Sequence, residues 1–188
     1  MDLHPWHYFI SIESDFIETL DFVDLDPRNG VTFSNEYAKL LLLIGSEVDV
    51  VAKMICKGIP GQESAHRING YYKALTSAFP GIESVEIDVD RYSVAVKPWA
   101  FWKPGLTEKF SPPWWEAYNL VKHRRDENFH QANQLNVLNG LCGLFALLLY
   151  FYRKVDLIEL QPSPRLLNFG FPEQLVGYAR RQKRLPGT

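Results

Sequence analysis

Ser34 to Gly58 reads SNEYAKLLLLIGSEVDVVAKMICKG, and this stretch decides the fold. Ser34 or Asn35 offers a side-chain oxygen to the free amides of a first helical turn. Behind that cap, Tyr37, Leu40, Leu41, Ile44, Val48, Val51 and Ile55 recur every three or four residues and fall on one face. Gly58 and the Pro60-Gly61 pair end the helix near Lys57. A helix with so continuous an apolar stripe needs other helices packed against it.

The neighbouring segments supply them. Pro5 to Leu20 reads as a first helix, with Pro5 in its opening turn and Trp6, Phe9, Phe16, Ile17 and Leu20 at helical spacing. Pro27-Arg28-Asn29-Gly30 marks a turn-rich connection. A third helix is predicted from about Gln62 to Phe79, stopped by Pro80-Gly81. The period then changes to two: Val85, Ile87 and Val89, then Tyr92, Val94 and Val96, alternate with other residues. They predict a hairpin at about 83–98 turning near Asp90-Arg91. After an aromatic connection, Ser111-Pro112-Pro113 starts a helix from Trp114 to about His123. A further long helix is predicted from about Asp126 to Arg153, with a bend or break at 123–127. The expected fold is mainly all-α, an antiparallel four- to five-helix up-and-down bundle with a small inserted β-hairpin. It occupies residues 1–160, and residues 161–188 form an irregular tail ending in the basic run Arg180 to Arg184.

Composition narrows the function classes. Apolar residues make up 46% and charged residues 22%, the profile of a globular domain. A formal net charge of −2 gives no global field for nucleic acid, so any phosphate-binding surface must be local. Cys56 and Cys142 lie in apolar helical contexts and are expected to be free buried thiols, which fits a reducing, cytoplasmic setting. No signal peptide is read at the start. Val137 to Tyr152 is shorter than the roughly 20 residues of a membrane span and reads as a buried helix, so no membrane association is expected. Phosphate-binding, dinucleotide and serine-hydrolase motifs have no local support. His4-x-x-His7 lacks accompanying ligands, so neither metal nor cofactor is expected.

The last long helix is apolar over most of its circumference. Its core seam is predicted as Leu135, Cys142, Phe145, Leu149 and Tyr152, flanked by Leu141 and Leu148. Such a helix needs cover on both sides, and a twofold partner is the expected second cover, which predicts a homodimer.

Lys122-His123-Arg124-Arg125-Asp126-Glu127-Asn128-Phe129-His130 carries the chemistry. It places three cationic side chains and two imidazoles at the expected bend. His130 is the candidate general base and acid, its pKa lying near neutrality, and Arg125 the candidate stabiliser of phosphoryl charge. Asp126 is placed to cap the helix and orient Arg125. His123 would share a face with His130 on an unbroken helix, with Asn119 near the same strip. Lys122 and Arg124 are candidates for backbone phosphates, and Glu47 is a carboxylate that could fix the basic cluster. Arg124 offers an R-x5-H register competing with the R-x4-H of Arg125 and His130, and both stay open.

A helical chain with R-x4-H leading into its last long helix resembles the HEPN superfamily of small all-helical proteins. Arg125, Asp126 and His130 stand where that family carries its arginine, polar follower and histidine. Tyr118-Asn119-x-x-Lys122-His123 and the helix from Asn35-Glu36-Tyr37 through Glu47-Val48-Asp49 also resemble HEPN-like bacterial proteins. The resemblance covers roughly residues 5–79 and 112–155. It implies a dimer with two motifs facing each other and metal-independent cleavage of RNA, by attack of a ribose 2′-OH on the adjacent phosphate. It also implies a toxin–antitoxin or phage-defence role, with an antitoxin protein as partner. Other members only bind, so a non-catalytic dimer holding a protein or RNA is the competing expectation.

Overall fold

The computed structural model describes residues 2–89, 92–103, 111–155, 159–169 and 185–187. The chain is mainly helical with a small antiparallel sheet. Its α-helices are α1 (His4–Thr19), α2 (Asn35–Lys57), α3 (Arg67–Ala78), α4 (Pro113–Asn128) and α5 (Gln134–Phe151). Its strands are β1 (Ile87–Val89), β2 (Val94–Val96) and β3 (Leu167–Asn168).

The predicted cap of α2 is formed by Ser34, whose Oγ accepts from the Tyr37 amide at 3.1 Å. The stripe behind it is buried from Tyr37 to Cys56, and α2 packs against α1, α3, α4 and most extensively α5. Where α2 meets α4 the fit depends on Gly45, because a Cβ there would overlap the Tyr118 ring. Gly45→Ala is therefore expected to cost about 2 kcal/mol, the usual range for forcing an extra carbon into a packed seam. Chemical denaturation tests this, and an unchanged midpoint would show that Tyr118 has somewhere else to go.

The hairpin strands pair as predicted, Ile87 opposite Val96 and Val89 opposite Val94. Its expected turn at Asp90-Arg91 lies outside the described residues, as does the basic run Arg180 to Arg184. The tail is not wholly irregular: β3 adds to the other edge of β1, giving the order β2-β1-β3. That docking is pinned through Glu13 on the buried face of α1. Its carboxylate accepts the backbone amides of Arg165, Leu166 and Leu167 at 2.8 to 3.0 Å.

Two expectations about the last helices are corrected. No single helix runs from Asp126 to Arg153. A 3-10 turn at Phe129–Gln131 and non-helical backbone at Ala132 and Asn133 separate α4 from α5. The Asn133 side chain then accepts from the Asn136 amide at 3.0 Å and starts α5 afresh. The cause is not local. Residues 30–34 pair with 132–135, through Ser34 N–H to Ala132 C=O, Gln134 N–H to Thr32 C=O and Leu135 N–H to Gly30 C=O. Leu135 consequently lies on the surface, 55% exposed, and not in the core seam.

The second correction concerns the cover of α5. Fourteen of its residues are buried by this one chain. Phe9 stacks on Phe145 at 5.2 Å on one flank, and Phe79 meets Tyr150 on another. Trp114 lies against Gly140 and Gly143, and Trp99 donates from its indole to the Gly143 carbonyl. A twofold partner is not needed to cover this helix. Gln134–Phe151 is long and apolar enough to cross a membrane, yet 78% of it is buried inside the protein, as in a core helix. Cys56 and Cys142 are free and buried, and burial pushes the Cys56 thiol up to about 11.

Candidate functional site

α4 does bend where the sequence predicted. Arg124 leaves helical geometry at φ −145° and ψ 45°, and the helix resumes to Asn128. Asn128 returns a side-chain bond to the Arg124 carbonyl at 2.9 Å, which steadies the bend. Residues 122 to 127 are all exposed, so the bend forms a polar shoulder above buried Val121. A shallow open cleft lies against it, lined by Lys122, His123, Arg125 and Asp126 with Asn35, Leu42, Val121 and Phe129.

The two arginine registers part company here. Arg124 turns to Glu127, its Nη2 2.6 Å from the carboxylate, while Arg125 lines the cleft. Among the described residues Arg125 makes no side-chain ion pair, so its donors are available to an anion. Lys122 Nζ donates to the Tyr118 hydroxyl at 3.1 Å and lies 5.3 Å from that ring's centroid. That anchors the ammonium at the mouth of the cleft, above the contact at Gly45.

His130 follows the end of α4. It sits on the 3-10 turn, exposed, with its Nε2 accepting from the Gln131 side-chain amide at 3.0 Å. The cleft's lining includes His123 and not His130. Because the helix is broken, the two imidazoles do not share a helical face. Asp126 lies within α4 and does not cap α5; Asn133 does that. Asn119 donates to the Trp115 carbonyl of its own helix at 2.9 Å. Glu47 is half-buried, its carboxyl pushed up by burial and drawn back by His4, so its charged neighbour is on α1 and not in the basic cluster.

Asn35, Leu42 and Phe129 were missed as lining residues. Asn35 and Leu42 reach the cleft from α2, which only the tertiary fold brings beside the bend. Among the described residues no group of three or more His, Cys, Asp or Glu is placed to hold a metal ion. No family model, curated protein or solved structure matches this chain.

The arrangement suits an anion. Three groups that carry or can carry positive charge line one open surface. Among the described residues, Asp126 is the carboxylate that lines it. With a net charge of −2 over the whole chain, that local concentration is a feature that can attract a phosphate.

Proposed function

We propose that this chain is a HEPN-like, cytoplasmic helical protein, an antiparallel up-and-down bundle, that engages RNA at the α4 bend and cleaves it without metal. The observation that carries the reading is the joint lining of one open cleft by Lys122, His123 and Arg125, with Arg124 diverted to Glu127. In this reading Lys122 and Arg125 hold the backbone phosphate, and Arg125 stabilises the charge that builds on its oxygens. An imidazole takes the 2′-OH proton, and that oxygen attacks the phosphorus. The 5′ oxygen departs with a proton returned by a second acid, leaving a 2′,3′-cyclic phosphate. His130 holds the base's role by resemblance, while His123 is the imidazole that lines the cleft. A homodimer would bring two such clefts to one strand, and an antitoxin-type protein would act by covering them.

One observation favours the competing reading, a non-catalytic binder of RNA or a protein. His130 is outside the lining and engaged with Gln131. Cleavage of varied RNAs in EDTA by purified protein separates the two. The nuclease reading expects cyclic-phosphate products and a loss of about a hundredfold in Arg125→Ala, the scale for removing one donor to developing charge. Comparison of His123→Ala with His130→Ala identifies the base. Absence of cleavage with retained RNA binding would leave the binder. Light scattering tests the dimer separately, and a stable monomer removes the facing-cleft arrangement.

A further inference from the structure

We propose that Phe33 and Phe129 form a stacking platform for an unpaired base of the RNA strand whose phosphates occupy the cleft. This inference rests on the RNA reading above. Phe33 is among the few large apolar side chains that stay exposed, at 49%. Its ring meets Phe129 at 5.6 Å and 84°, and Phe129 itself lines the cleft with Lys122, His123 and Arg125. An edge-to-face pair leaves at least one face of each ring free of the other.

Burial does not hold Phe33 there. It precedes the α2 cap, and its backbone bridges to Asn133, so the pairing of residues 30–34 with 132–135 fixes the ring at the corner. A cleft lined by Lys122, His123, Arg125 and Phe129, with the exposed Phe33 ring against Phe129, matches a ligand that alternates anionic groups with flat apolar faces. Single-stranded RNA has that chemistry, whereas a duplex hides its base faces within the stack. A protein partner would instead draw also on Val31 and Leu135, exposed apolar residues of the same paired segments.

The test is fluorescence anisotropy of the full chain with a short 2′-O-methyl RNA, which the proposed chemistry cannot cut. The comparison ligand is the same strand carrying abasic spacers. Phe33→Leu is expected to weaken the base-bearing strand about tenfold, within the range for loss of one base–aromatic stack. Phe33→Trp should restore binding, and Val31→Ser with Leu135→Ser should leave it unchanged. The abasic strand should bind weakly, and equally to wild type and Phe33→Leu. Equal wild-type affinity for both strands overturns the platform. So does an unchanged Phe33→Leu beside a weakened Arg125→Ala, an outcome that leaves the RNA reading standing. Loss of affinity in the Val31 and Leu135 variant as large as in Phe33→Leu also overturns it, in favour of a broad apolar contact. A wild type that binds neither strand sinks the RNA reading itself.

Discussion

Glu13→Ala should lower the folding stability by about 5 kcal/mol and release the segment that carries β3. The Glu13 side chain is 1% exposed, and among the described residues no cation pairs with it. Its charge is balanced by three backbone N–H groups, two on Oε1 and one on Oε2. Hydrogen bonds to an ionised group contribute about 1.5–3 kcal/mol each, and removing the acceptor leaves buried donors unsatisfied. The loss is a large share of the roughly 5–15 kcal/mol that holds a domain folded. Glu13→Gln is the informative companion. It keeps the shape and one carbonyl oxygen, but its amide nitrogen meets an N–H donor, so it should recover only part of the loss. Denaturation midpoints measure the energies, and hydrogen exchange at 165–167 reports the release. Midpoints unchanged in Glu13→Ala, with those amides still protected, would show that another contact holds the tail.

Glu13 also shows what the sequence could and could not reveal. A carboxylate between Ile12 and Phe16, on the face that carries Phe9, signals that something must satisfy it. Its partners lie some 150 residues away and are backbone, which has no sequence signature. The α2 helix was legible because cap, stripe and glycine stop all act within one helix length. The bend at Arg124 was legible as a limit on helix length, but the second break was not. The apolar run through Val137 extends a helical pattern past Asn133, and the pairing with residues 30–34 that forces the break is long-range. The all-round apolar character of α5 correctly demanded cover on both sides. Attributing half of that cover to a second subunit failed because Trp99 and Trp114, in and beside an apparent linker, fold back onto the helix. At the site, Lys122, His123 and Arg125 came together because they lie within four residues of one another, on either side of the bend. Arg125 and His130 could converge only across a bend, and helical spacing does not say how a bend turns its side chains. Phe33 was invisible as a site residue, because its position depends on that same long-range pairing.

Trp114→Ala should cost about 4 kcal/mol, in the range for deleting a buried tryptophan. The ring is nearly fully buried, makes an edge contact with Trp99 at 5.1 Å and donates from Nε1 to the Pro98 carbonyl at 2.9 Å. Its floor is α5 at Gly140 and Gly143, where an added Cβ would come within 3.3 Å and 2.8 Å of the indole. A floor of glycines has no side chains to move into the space left by the ring. The cavity therefore stays open, and the Pro98 carbonyl loses its donor. The same geometry predicts coupling between the two sides of the contact. Gly143→Ala should destabilise the wild type, since its methyl meets Trp114 Cζ2. In the Trp114→Ala background that methyl enters the cavity, and the substitution should become neutral or favourable. The double-mutant coupling should fall in the range of about 0.5–3 kcal/mol seen for residues sharing one cavity. Additive losses would mean that Trp114 does not rest on this face of α5. Part of the cover of α5 would then have to come from elsewhere.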